Sequence, residues 1–314
     1  MKAPSRLLKF LREQDNFFIA SHINPEGDAI GASIALSMAL ETLGKKTVVY
    51  NSDGVPGIYQ YLPGREKVIQ TVQGIDPASY NLVLLDCNTM KRAGTEGLSF
   101  KSSVVIDHHE TEGNFGDIKW IEPHAAATGL MIYYILKEMG IEFTRKIAVN
   151  LYSAIAVDTG TFRFGNTTAE VLRAAAELAE AGVKPGYVAN NIYETWSERR
   201  FRLLIMALNT LDIKDSVAFT HVSKKMYAET GANAEDTENF SGFPRMMGTV
   251  SISVFFRETT DGEWKVSLRS RGDTNVASLA VFFGGGGHKN AAGYTVKGTI
   301  EEVKKALLLK YKNI

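Results

Sequence analysis

The sequence predicts a two-domain α/β protein: a larger N-terminal domain on a mostly parallel, five-stranded-type sheet flanked by helices, then a smaller C-terminal α/β domain, joined by a connecting helix. Three observations predict it. Short, continuously apolar runs alternate with helix-period segments as far as about residue 185. Beyond residue 211 that rhythm gives way to strand-like runs broken by turn residues. With 314 residues, 45% of them hydrophobic, the chain can fill one large or two ordinary cores.

The elements follow in order. Residues 5–13 read as a short amphipathic helix, and 17–20 as a brief apolar strand. Residues 28–43 have helical periodicity and stop at Gly44, a residue suited to the left-handed C-terminal position of a helix. Strands are expected at 47–50, 82–85 and 104–106, each apolar throughout, as strands covered on both faces by helices should be. Helices are expected at about 127–139, 145–156 and 168–181. A connecting helix is read at 189–211, with Glu198, Arg199 and Arg200 on its polar side. Strands follow at 216–221, 249–256 and 264–269, with a hairpin turn at Asp261-Gly262, and helices at 275–282 and 300–311. The expected domains are 1–185 and 213–314, with 186–212 as the link.

Composition narrows the function. The 35 basic and 35 acidic residues cancel, which argues against a broad surface for long duplex nucleic acid but not against a pocket for a small anion. One cysteine, Cys87, excludes a disulfide framework and a cysteine zinc site. The stretch MKAPSRLLKFLREQDNFF interrupts its apolar positions with charge, unlike a signal peptide. No run approaches the length of a membrane span, so a cytoplasmic protein without a membrane partner is expected.

Ligands of open α/β sheets bind beyond the carboxyl ends of the strands. The first strand is followed by SHINPEGD, with His22, Glu26 and Asp28; the strand at 82–85 by Asp86; the strand at 104–106 by Asp107, His108 and His109. A later helix ends in Asp158-Thr159-Gly160. Taken singly, each has a plainer explanation: a hydrogen-bonded histidine, a carboxylate at a helix N-terminus, a turn aspartate. Gathered at successive strand ends they would repel one another unless cations neutralised them. Carboxylates and imidazoles without thiolate suit manganese or magnesium better than zinc. Asp86, alone at its strand end, is the candidate bridge between two ions, which would polarise a phosphoryl oxygen and lower the pKa of a water. His124 is read as an entry-loop residue rather than a ligand.

A second constellation is FGGGGHKNAAGYTV, 283–296. It lacks the lysine and hydroxyl spacing of a P-loop. Its flanks favour close backbone approach to an anion by Gly285, Gly286 and Gly287 beside His288. Upstream, Arg269 and Arg271 occupy alternate strand positions as phosphate clamps.

These residues resemble the DHH phosphoesterases, named for a triplet such as Asp107-His108-His109, with a second domain of the DHHA1 type marked by a glycine run ending in histidine. SHINPEGDAIGAS, LLDCN, VVIDHHE, AVDTGTFRF, SLRSRG and GGGGHKNAAG occur in the family's order over nearly the whole chain. The chain is most similar to the stand-alone nanoRNases, the oligoribonuclease/pAp phosphatases of the NrnA type. The resemblance implies two manganese ions, with magnesium as a substitute. His22, Glu26 and Asp86 would hold one; Asp28, Asp86, His108 and Asp158 would hold the other. It implies that Asp107 orients the adjacent histidine and that His109 faces the substrate phosphate. Arg269, Arg271, His288 and the glycine backbone would grip phosphate. The family has aspartate where this chain has Glu26, so that ligand reaches one methylene further.

The implied activity is hydrolysis of RNAs of about two to five nucleotides and of linear dinucleotides such as pApA and pGpG to nucleoside 5′-monophosphates, and of pAp to AMP. A cleft between the domains would set substrate size. A stacking aromatic is expected among Phe282, Phe283 and Tyr294. A homodimer is the default assembly. The rivals are a cyclic dinucleotide (c-di-AMP) phosphodiesterase, a long single-strand exonuclease, an inorganic pyrophosphatase and, in another class, a catalytically silent nucleotide-binding protein. The long-strand exonuclease would need extra binding domains, and the pyrophosphatase lacks the glycine run.

Overall fold

A computed structural model describes residues 1–110, 114–260 and 262–311. The chain divides into two compact units, Met1–Thr195 and Trp196–Ile314.

In the first unit, α1 (Ser5–Glu13), β1 (Asn16–Ser21), α2 (Gly27–Thr42), β2 (Lys46–Tyr50), β3 (Val68–Ile69), β4 (Asn81–Leu85), β5 (Ser103–Asp107) and β6 (Ile118–Ile121) are followed by α3 (Thr128–Met139), α4 (Arg145–Asp158), α5 (Ala169–Glu180) and α6 (Pro185–Tyr193). Six strands form one sheet in the order β3-β2-β1-β4-β5-β6, all parallel. A five-stranded-type sheet was expected and four of its strands were placed; β3 and β6 escape pattern recognition because β3 is two residues long and β6 alternates buried and exposed positions. Alternate residues of the strands bury to opposite faces. Phe17, Ile19, Val83, Leu85, Val104 and Ile106 pack under α1 to α5. Phe18, Ala20, Leu82, Leu84 and Val105 pack instead under connecting segments that carry Tyr80, Ala93 and Phe100. Both faces are therefore covered, as continuously apolar strands require, but only one of them by helices.

The strand order reverses between β1 and β4, and such a switch point leaves a crevice at the carboxyl edge. Over that edge lies α2, buried on almost every side. Small residues let its neighbours approach: a Cβ on Gly31 would come 2.5 Å from the Asn150 carbonyl oxygen on α4, and one on Gly129 of α3 would come 2.4 Å from Ala154 Cβ. Three helices thus converge where β1, β4 and β5 end.

The segment expected as one connecting helix, 189–211, is two. The first, α6, ends at Tyr193, and α7 (Glu198–Asn209) starts afresh behind Ser197, whose side chain accepts from Arg200 N. A serine cap satisfies a free backbone donor at a helix start, so the break is encoded locally. The second unit continues with β7 (Asp212–Lys214), β8 (Val217–Val222), α8 (Lys224–Thr230), β9 (Ile252–Thr260), β10 (Glu263–Ser270), α9 (Val276–Phe282), β11 (Gly286–His288), β12 (Ala291–Lys297) and α10 (Ile300–Tyr311). Its sheet has the order β11-β12-β10-β9-β8-β7; β8 and β9 run parallel and the other pairs antiparallel. Trp264, Val266 and Leu268 of β10 pack with Val276, Leu279, Val303 and Leu307 of α9 and α10. Of the expected turn, Asp261 lies outside the described residues, and Gly262 takes φ +72°.

Candidate metal centre

The carboxyl edge of the first sheet gathers His22 after β1, Asp86 after β4, Asp107 at the end of β5, His108 and His109 beyond it, Asp28 in the first turn of α2 and Asp158 at the last residue of α4. Asp86 adopts φ +59°, a left-handed backbone that aspartate tolerates better than most residues and that clusters at functional sites. Its Oδ2 lies 3.2 Å from His22 Nε2, and its Oδ1 lies 3.4 Å from His108 Nε2 and 3.6 Å from His109 Nδ1. Asp86 therefore meets all three imidazoles. His108 Nε2 also lies 3.1 Å from Asp158 Oδ2 and 3.9 Å from Asp28 Oδ2. Two groups of potential ligands result, Asp86 with His108 and His109, and Asp28 with His108 and Asp158.

The imidazoles are held from behind. His22 Nδ1 is 2.9 Å from the Ile23 carbonyl, and His108 Nδ1 is 3.1 Å from the Ala125 carbonyl. A carbonyl only accepts, so each Nδ1 carries a proton and each Nε2 is turned to the carboxylates. Asp107 was expected to orient His108. The structure corrects this: Asp107 Oδ1 accepts from His109 Nδ1 at 2.6 Å and from His109 N at 3.1 Å. Residues two apart along an extended segment share a side, whereas neighbours do not. Asp107 Oδ2 is buried without a hydrogen-bond partner among the described residues.

Burial pushes the Asp28 carboxyl up, the Asp158 and Asp86 charges push it further, and it stands well above the ordinary carboxylate range. Burial acts the same way on Asp86, but hydrogen bonds from His108 and His22 outweigh it and hold that carboxyl well below. Burial disfavours charge on His108, yet Asp158 and Asp86 raise it well above an ordinary histidine. In His22, too, burial opposes charge; Asp86 outweighs it and raises the group, with the Arg92 charge opposing. Crowded carboxylates and imidazoles of this kind fit divalent cations, and the chain's one cysteine, Cys87, is buried in the core.

Sequence reasoning missed the polar support. Thr128 N and Gly129 N, at the start of α3, donate to Asp28 Oδ2 at 2.6 Å and Oδ1 at 2.7 Å, and Thr128 Oγ1 donates to Asp86 Oδ1 at 3.1 Å. The signal was a threonine and glycine opening a helix, where free N–H groups attract anions. Glu26 stands exposed at the N-terminal cap position of α2 and belongs to neither close group among the described residues. His124 is exposed and joins neither group.

In the second unit, Arg269 on β10 and His288 on β11 both stand opposite Ala291 of β12. Directly paired residues share a face, so both side chains rise from one side of the sheet about 10 Å apart. Arg271 does not share the strand as expected. It lies past the end of β10, exposed, and donates to the Arg245 carbonyl at 2.8 Å. The glycine run is also more structural than expected. A Cβ on Gly285 would come 2.1 Å from the Gly293 carbonyl oxygen, and one on Gly287, at φ +138°, 2.5 Å from that of Ala291. Their close approach is to β12. Gly286 faces open space. Of the aromatics, Tyr294 is buried and stacks on Phe283 at 4.7 Å, while Phe282 is exposed.

Residues 16–155 match the model of the DHH family N-terminal domain, and 215–313 match that of the DHHA1 domain. A bifunctional oligoribonuclease and PAP phosphatase NrnA from Thermus thermophilus is 38% identical over 90% of this chain and 84% of its own. The crystal structure of an exopolyphosphatase-related protein from Bacteroides fragilis superposes with a TM-score of 0.88 at 28% identity, covering 98% of this chain and 96% of that one. A cyclic-di-AMP phosphodiesterase PdeA from Listeria monocytogenes is 27% identical over 96% of this chain, which spans 48% of that protein.

Proposed function

This chain belongs to the DHH family and carries a DHHA1 second domain, and from that premise we propose that it hydrolyses very short RNAs and linear dinucleotides to nucleoside 5′-monophosphates, and pAp to AMP. The observation that carries the proposal is a single carboxylate, Asp86, in reach of three imidazoles at the sheet's switch point. The Thermus relative, named for oligoribonuclease and PAP phosphatase activity, supports the substrate class.

The donors fit two manganese ions, with magnesium as a substitute. His22, Asp86 and Glu26 would hold one, Glu26 using its extra methylene; Asp86, Asp28, His108 and Asp158 would hold the other. Bound there, the ions would supply Lewis-acid polarisation of a phosphoryl oxygen and a lowered pKa for water. The chain's own residues do the rest. Asp107 fixes the proton on His109 Nδ1, which leaves His109 Nε2 to address the substrate phosphate. Thr128 and the start of α3 hold Asp86 and Asp28 in place. In the second unit we assign phosphate contacts to Arg269, His288 and the Gly286 backbone, with a lesser part for Arg271. The balance of 35 basic and 35 acidic residues supports substrates with few phosphates rather than long duplexes. We place its action in the cytoplasm; no helix among the described residues is long and apolar enough to cross a membrane.

The test is a time course with manganese on linear pApA and cyclic di-AMP in parallel, products resolved by ion exchange. AMP from pApA with the cyclic compound untouched is the expected result. Cleavage of the cyclic compound would move the chain to the cyclic dinucleotide phosphodiesterases. Nucleotide retained but never cleaved, pAp included, would overturn catalysis in favour of a silent binding protein.

A further inference from the structure

The segment after Asp158 is strained. Gly160, Thr161 and Phe162 have φ of +56°, +55° and +63°. Glycine takes this backbone freely, but a β-branched threonine there is a conformational outlier. Such positions are costly and persist only where surrounding contacts impose them. From within, Thr159 holds the turn, its Oγ1 accepting from Phe162 N at 3.2 Å and its carbonyl from Arg163 N at 3.0 Å; from outside, two side chains of the turn meet one hydroxyl. Tyr193 Oη lies 2.7 Å from Thr161 Oγ1 and accepts from Arg163 Nη2 at 2.9 Å. The same guanidinium donates through Nε to the Gly160 carbonyl at 2.7 Å and lies 5.4 Å from the Tyr193 ring centre. Asn166 ties the other side, donating to the carbonyls of Asp158 at 3.1 Å and Ala126 at 3.2 Å. The Tyr193 ring is 41% exposed, so core packing does not explain its placement. Tyr193 is also the last residue of α6, three residues before the second unit begins.

We propose that Tyr193 is a positioning residue: its hydroxyl locks the strained 160–163 turn and thereby fixes the carboxylate of Asp158 for a divalent cation. The inference rests on Asp158 being a ligand, as in the function proposed above. Without the hydroxyl, the turn relaxes toward an ordinary backbone and Asp158, at its root, loses its aim.

The experiment uses the full-length chain and manganese alone, with affinity measured by calorimetry and by the manganese EPR signal, and folding by thermal melts in chelator. Tyr193→Phe keeps the ring and removes the hydroxyl; the expected result is roughly ten-fold weaker manganese binding at one site, with the chelated melt unchanged. Thr161→Val removes the other end of the same contact, and the double variant should bind no more weakly than the worse single one, because both act through one bond. Asp158→Asn is the control for the underlying reading. If Asp158→Asn weakens binding while Tyr193→Phe and Thr161→Val do not, Tyr193 has no positioning role. If Asp158→Asn changes nothing, Asp158 is not a ligand and both the reading and this proposal fall. Additive losses in the double variant would also overturn it.

Discussion

Asp28 combines complete burial with two neighbouring carboxylates, and its charge is supported by His108 and two backbone N–H groups. Without metal, the Asp28 carboxyl is raised, so folding favours its protonated form and the benefit shrinks as pH rises above the unfolded carboxylate value, about 3.9. His108 and His22 are raised as well; their favourable charge is complete below about 6.5 and is lost as pH climbs through the folded values. Asp86 is lowered and matters in the opposite sense, losing its contribution only as pH falls into strong acid. The signs agree from mild acid upward. Urea melts in chelator should therefore show stability falling between pH 6 and 8.5, while saturating manganese should add more stability at the upper end, where fewer protons must be displaced. A chelated protein more stable at pH 8.5 than at pH 6 would contradict the assigned charge states. Of the candidate ligand positions, His22, Asp86 and His108 were legible because each follows a short apolar run read as a strand, whereas Asp28 was read near a helix start and Asp158 at a helix end. The partner of Asp107 was not legible. It depends on which way two adjacent histidines turn, and that is decided by the Ala125 carbonyl, contributed from a loop 17 residues on.

At the scale of elements, legibility followed burial. Strands β1, β4 and β5 have continuously apolar centres and were read within a residue or two, whereas β3, β6, β7 and β11 are short or lie on sheet edges, and α8 spans only seven residues. The glycine run was only partly legible for a related reason. Glycine is needed both where a ligand touches backbone and where a neighbouring strand does, and sequence does not distinguish them. The structure separates the four positions. Gly285 and Gly287 are crowded by β12, Gly284 is open but sits at φ +79°, and Gly286 is open with an ordinary backbone. Gly285→Ala should lower stability by about 1–3 kcal/mol, since β11 must move to admit the methyl. Gly286→Ala should leave the melting temperature unchanged. If a phosphate approaches that backbone, Gly286→Ala should nonetheless raise KM for pApA several-fold. Unchanged kinetics in a stable Gly286→Ala protein would remove the glycine run from the substrate site and leave it as a strand that needs slim residues.

At the scale of the whole chain, each unit owns a core. The first is built around the parallel sheet, with α2 at its centre, and contains every candidate metal ligand. The second has its own sheet core, and Trp196, its first residue, packs on Phe240 at 6.1 Å with the Arg200 guanidinium 3.9 Å from the tryptophan ring centre. Each hydrophobic cluster among the described residues lies wholly within one unit. A fragment of residues 1–195 should melt cooperatively and bind manganese within about three-fold of the intact chain, because sites without shared partners behave additively. Hydrolysis is a different matter. If Arg269 and His288 meet the charge that develops on phosphate, their loss should cut kcat/KM for pApA by about a hundred-fold or more. Weak manganese binding by the fragment would mean that the centre draws on the second unit. Full activity would mean that the first unit recognises its substrate unaided, and the assigned phosphate contacts would have to be sought around the centre itself, where the Arg92 charge already bears on His22.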